Sequence, residues 1–182
     1  DVNAFDDGED VVVDYLIYDE YPDLGSAAGF RAMSFDGVPT ARPTRVTLSP
    51  SRGTATSRLL SQRESEFATV DPRLWGKPYR YAYLTGPIFP RTTSIAKLDI
   101  ESGQLQERDF GPGRYPEEPL FVPRAGSLRE DDGYLLVQLY RADSHRSELE
   151  ILAASDITAP ALARYELPGH VPYAFHGTFV ST

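Results

Sequence analysis

A chain of 182 residues that is 41% hydrophobic and 12% aromatic has the apolar content for a packed core, which excludes a disordered polymer. Its 18 Lys and Arg against 27 Asp and Glu give a formal charge of −9, which argues against a general nucleic-acid binder and against docking on an anionic membrane by charge alone. The absence of cysteine excludes a disulfide framework, a thiolate zinc site, an iron–sulfur cluster and a cysteine nucleophile, so any metal relies on His, Asp or Glu.

In chain order, β-branched and aromatic runs bounded by turn residues predict strands over Val11–Tyr18, Phe30–Phe35, Arg45–Ser49, Tyr79–Thr85, Ser94–Ile100 and Gln106–Phe110. Further strands are predicted over Pro119–Pro123, Tyr134–Arg141, Glu148–Ala153, Leu162–Leu167 and Phe175–Val180. The turns between them carry Asp36-Gly37, Ser102-Gly103, Asp132-Gly133 and Pro168-Gly169. Ser94–Ile100 and Gln106–Phe110 read as a hairpin across Glu101–Gln104, and Tyr134–Arg141 joins Glu148–Ala153 through Ala142–Ser147. Polar, Ser/Arg-rich Arg52–Arg63 reads mainly as a loop or edge segment, and Ala159–Leu162 as a helical turn at most. With no long 3.6-period pattern, the fold class is all-β: a sandwich, a barrel or part of a propeller.

Few residues are left to carry chemistry. His145 sits in a predicted hairpin tip and His170 follows Pro168-Gly169, so both read as solvated loop residues. His176 differs, because it lies within Val171-Pro172-Tyr173-Ala174-Phe175-His176-Gly177. Apolar aromatic neighbours predict a buried imidazole, which needs a partner for each nitrogen. Gly177 beside it allows close backbone approach. Glu66, ahead of Val70-Asp71-Pro72, and Glu118, ahead of Leu120-Phe121-Val122, are acids next to apolar runs. Such acids are usually rim residues; a pair could serve hydrolysis, although nothing in their spacing singles that out.

Several segments, in order, resemble the C-terminal part of the carotenoid cleavage oxygenase family, which includes carotenoid-, apocarotenoid- and stilbene-cleaving dioxygenases and retinoid isomerohydrolases. They are Val2-Asn3-Ala4-Phe5 with Asp7-Gly8, Glu66-Phe67 with Asp71-Pro72, and Gly76-Lys77-Pro78-Tyr79-Arg80-Tyr81-Ala82-Tyr83. Glu118-Pro119-Leu120-Phe121-Val122-Pro123-Arg124, Glu130-Asp131-Asp132-Gly133, Ser147-Glu148-Leu149 and Val171-Pro172-Tyr173 with Phe175-His176-Gly177 complete the set.

The resemblance implies the last blades of a seven-bladed β-propeller with Fe(2+) on its axis, held by four histidines. It implies that residues 1–182 are the C-terminal part of one such domain, the N-terminal part being absent, as does a chain that opens on Asp1 rather than Met. Only the fourth ligand maps here, onto His176; the third falls one residue ahead of Asp1. Glu66 and Glu118 match glutamates that hydrogen-bond ligand histidines, and Phe67 and Phe175 are candidate walls of a substrate tunnel, with core packing an equal alternative for each. The implied activity is O2-dependent cleavage of a conjugated C=C bond in an apolar polyene or stilbene. The partners are that substrate, O2 and the N-terminal remainder of the same protein. The lack of cysteines and of a signal segment fits a cytoplasmic protein, and the apolar substrate fits peripheral membrane contact. The alternatives are a non-catalytic propeller or sandwich serving as a binding or scaffold module, and a propeller glycosidase using Glu66 or Glu118.

Overall fold

The computed structural model describes residues 2–21, 38–87, 92–172 and 176–180. Their strands form three antiparallel meanders, each the shape of one propeller blade. Sheet 1 runs β1 (Asn3–Asp7), β2 (Asp10–Tyr18), β3 (Ala41–Ser49), β4 (Thr54–Leu59). Sheet 2 runs β5 (Phe67–Thr69), β6 (Tyr81–Thr85), β7 (Ser94–Asp99), β8 (Leu105–Asp109). Sheet 3 contains β9 (Arg114–Pro116), β10 (Leu120–Pro123), β11 (Gly133–Arg141), β12 (Arg146–Ala153) and β13 (Ala163–Glu166), with β9 and β10 both pairing β11. Among the described residues there is no α-helix, and no helix long and apolar enough to cross a membrane.

Period-2 alternation explains the layering. In β6, Ala82 and Leu84 face one way and Tyr83 and Thr85 the other, and all four are buried. Ala82, Leu84 and Leu98 join Phe5, Val12, Leu60 and Val70 in a core between sheets 1 and 2. Tyr83 and Ile95 join Phe121, Leu135, Val137, Leu139 and Leu152 in a second core between sheets 2 and 3. Sheet 2 is therefore covered on both faces.

Buried polar groups stitch the seams. Asn3 donates through Nδ2 to the carbonyls of Leu74 (3.0 Å) and Lys77 (3.1 Å), and accepts from Gly76 N–H at 3.1 Å. Gly76 takes φ +75°, a left-handed conformation that favours glycine. Asp14, with no exposure, accepts two hydrogen bonds from Arg45 (2.9 and 2.8 Å) and one from Tyr79 Oη at 2.6 Å. Lys97 reaches Asp131 at 2.9 Å and the Ser155 carbonyl at 3.0 Å, and Glu130 accepts from the N–H groups of Arg80 and Tyr81. Segments that carried the family resemblance thus include the fasteners between neighbouring sheets.

Both predicted hairpins form, the first closed by Gly103 N–H to Asp99 O at 2.7 Å, the second by the Arg141–Arg146 pair. Three strands have no counterpart in the sequence reading: β1, β5 and β9. The Arg52–Arg63 segment contains β4, an edge strand with all six residues exposed. No helical turn forms at Ala159–Leu162, where the Ala159 carbonyl instead accepts from Arg108 at 2.8 Å. A 3-10 turn forms at Pro72–Leu74, because Asp71 caps it by accepting from Arg73 N–H and proline opens it. The predicted Phe30–Phe35 strand lies outside the described residues, as does Phe175; His176–Val180 is not strand.

The first strand of sheet 3 is irregular. Pro116 pairs with Leu139 and Leu120 with Leu136, so Glu117, Glu118 and Pro119 stand opposite Val137 and Gln138. That is one extra residue, a β-bulge, with a proline where no ladder N–H is required.

Candidate functional site

The first strands of the three sheets converge. Val2 with Asn3 and Ala4 of β1, Ala68, Thr69 and Val70 around β5, and Glu118 and Leu120 at β10 line a common cavity of about 530 Å³ with His176 and Gly177. A second cavity, of about 260 Å³, is lined by Leu16, Tyr18, Glu66, Phe67, Ala68, Glu118 and His176. Three distant parts of the chain, the adjacent Glu66 and Phe67, then Glu118, then His176, therefore meet at one place.

Each glutamate is held by its backbone. Ser65 N–H donates to Ala41 O at 2.9 Å and Glu66 N–H to Thr85 O at 3.1 Å, which fixes Glu66 at the head of β5. Glu118 occupies the bulge. Glu117 N–H keeps the ladder by donating to Gln138 O at 2.9 Å, and its side chain accepts from Gln138 Nε2 at 2.8 Å. The extra residue frees Glu118 to turn from the ladder toward His176.

The Glu118 carboxylate lies 3.5 Å from His176 Nδ1 and accepts from Gly177 N–H at 3.3 Å. This leaves His176 Nε2 as the nitrogen directed away from the carboxylate, the tautomer arrangement of a metal-ligating histidine with an acidic partner. Phe67, buried, sets its ring edge against the imidazole with centroids 5.2 Å apart. Against the expectation from its aromatic neighbours, the His176 side chain is 75% exposed. Its polar partner and Phe67 lie to one side, and it opens onto the shared cavities.

Glu66 has a partner that sequence reasoning missed. Tyr18 Oη donates a short hydrogen bond to Glu66 Oε2. Burial first, and then the carboxylate, push the Tyr18 phenol well above the ordinary tyrosine range. The signal was one of register: Tyr18 pairs with Ala41, and Ala41 bridges to Ser65, which brings the end of β2 beside Glu66.

His145 and His170 belong elsewhere. Both are exposed and gather on Tyr140, whose Oη lies 2.7 Å from His145 Nδ1 and whose ring meets His170 edge-on at 5.3 Å. Among the described residues, no three His, Asp or Glu side chains come together as a metal-binding group. What this chain presents is one imidazole with its carboxylate, a second carboxylate nearby and an apolar wall.

The family model described as retinal pigment epithelial membrane protein matches residues 1–181. The apocarotenoid-15,15'-oxygenase of Synechocystis sp. is 40% identical over 99% of this chain and 38% of its own length. A 9-cis-epoxycarotenoid dioxygenase of Oryza sativa subsp. japonica is 34% identical over 71% of this chain and 22% of its own. The crystal structure of cobalt-substituted Synechocystis ACO superposes with a TM-score of 0.92 at 39% identity, covering 100% of this chain and 39% of that one. The chain thus spans less than two fifths of the length of these relatives.

Proposed function

The chain belongs to the carotenoid cleavage oxygenase family, and from that premise we propose that it is the C-terminal part of a nonheme iron(II) dioxygenase that cleaves a conjugated C=C bond of a carotenoid, apocarotenoid or stilbene into two carbonyl products. The observation that carries the reading is the convergence of His176, Glu118, Glu66 and Phe67 on one cavity. The cobalt-substituted Synechocystis relative supports the reading that a metal belongs to this fold.

The residues present fit one quadrant of such a centre. His176 would hold the iron through Nε2 while Glu118 fixes its tautomer and raises its basicity from the other side. Imidazole donors suit ferrous iron, and neutral imidazoles leave it the full double charge, which nearby carboxylates offset without occupying the metal. Bound there, the iron would supply O2 activation. Glu66 would serve a histidine contributed from outside the described sheets. Phe67 gives the pocket an apolar wall suited to a polyene.

The remaining blades would cover surfaces this chain leaves open. On the outer face of sheet 1, Tyr15, Ile17, Leu48 and Leu59 are each about two fifths exposed, an apolar surface of the kind propeller blades bury against each other. The test is iron content and O2-dependent cleavage of an apocarotenoid by the intact protein. His176→Ala is expected to abolish iron binding, and Glu66→Gln or Glu118→Gln to weaken binding or rate by about 10–100-fold. Full iron occupancy in His176→Ala would sink the assignment.

A further inference from the structure

We infer that Tyr18 is the positioning residue for Glu66, holding one carboxylate oxygen so that the other faces an incoming imidazole N–H; the inference rests on the iron-site reading. The geometry is built from the backbone. The β2–β3 ladder ends at the Tyr18–Ala41 pair, and Ala41, fully buried, bridges to Ser65. The phenol therefore crosses from sheet 1 to the head of sheet 2 and donates to Glu66 Oε2. Its ring lines the same cavity as Glu66, Phe67, Glu118 and His176.

The two glutamates are thus treated alike by different means. Glu118 is oriented by a backbone donor, Gly177 N–H at 3.3 Å, while Glu66 is oriented by a side-chain donor from the neighbouring sheet. A carboxylate with one oxygen fixed presents the second in a defined direction, which a freely rotating carboxylate does not. Because burial and Glu66 hold the Tyr18 phenol above the ordinary tyrosine range, it keeps its proton at least as firmly as an ordinary tyrosine and remains a donor at neutral pH. The consequence is that metal affinity depends on a residue that is neither a ligand nor a hydrogen-bond partner of one.

The test uses the intact protein and cobalt(II) as the probe, with affinity read by chelator competition and site geometry by the visible absorption of the bound ion. Tyr18→Phe keeps the ring and removes only the donor. It is expected to lower cobalt affinity about 10-fold, the low end for partners that orient ligands, and to shift the visible bands, with the far-ultraviolet circular dichroism of the parent retained. In a Glu66→Ala background the same substitution is expected to have no further effect, because the group it acts through is gone. Parent-like affinity in Tyr18→Phe, or an equal loss with and without Glu66, overturns the inference. His176→Ala separates the two levels. If it still holds cobalt, the iron-site reading fails. If it does not, and Tyr18→Phe binds as tightly as the parent, only the positioning role fails.

Discussion

Replacing Asp14 with alanine in the intact protein removes the acceptor at the centre of the seam between sheets 1 and 2. Asp14 has no exposure, whereas the Arg45 side chain it pairs with keeps 21%. Deleting one member of a buried ion pair costs about 3–5 kcal/mol, and the residual hydration of Arg45 places this case near the lower end, about 3 kcal/mol. Tyr79→Phe removes a 2.6 Å hydrogen bond to the same charged acceptor, worth about 2 kcal/mol. The two losses are coupled. Once Asp14 is gone the Tyr79 hydroxyl is itself a buried group without its acceptor, so Tyr79→Phe in that background is expected to cost nothing or to stabilise. Urea unfolding of the four proteins of the cycle, followed by circular dichroism, gives a coupling energy of about 2 kcal/mol on this reasoning. An equal cost for Tyr79→Phe in both backgrounds would refute it.

Two further outcomes are expected. Burial, reinforced by Asp14 for Tyr79 and by Asp131 for Tyr83, pushes both phenols well above their ordinary value of 10.0. The folded state therefore keeps protons that the unfolded chain releases: the stabilisation is whole below pH 10 and is lost as pH rises beyond it, by about 1.4 kcal/mol per tyrosine at pH 11. Urea midpoints that stay constant from pH 9 to 11 would contradict that. Gly133→Ala would place a Cβ 2.5 Å from the Val122 carbonyl oxygen and 2.7 Å from Phe121 Cζ. Overpacking of this kind costs about 1–3 kcal/mol, and a melting temperature equal to the parent's would show that β10 yields.

Strands with a buried face were legible in the sequence because burial writes a period of two into it. β11 alternates buried and half-buried residues along most of its length, and the run Tyr134–Arg141 shows it. β4 has no buried face at all; it is held by pairing to β3, a backbone property that leaves no pattern in side chains. β5 and β9 are three residues long, too short for any period to declare itself. The site was legible in its parts but not in its assembly. Residue types marked His176, Glu66 and Glu118, and the family resemblance gave them roles, yet nothing in the Val11–Tyr18 run distinguished Tyr18 from Tyr15. What separates them is which residue lies at the end of the ladder beside Ala41, a long-range fact. The exposure of His176 escaped for a related reason: an apolar stretch of sequence does not say what covers a side chain in space.

The bulge at Glu117–Pro119 gives the first strand of sheet 3 an unusual relation to insertions and deletions. Upstream of it, Pro116 is in step with Leu139; downstream, Leu120 is in step with Leu136. Losing a single residue between them would bring the two halves into one continuous register, a better ladder by the count of its hydrogen bonds. That more regular strand would no longer have the spare residue that lets Glu118 leave the sheet. In this segment chain length, more than the identity of each side chain, is what links the architecture to the chemistry. A homologue one residue shorter here would keep the blade and lose the carboxylate from its imidazole.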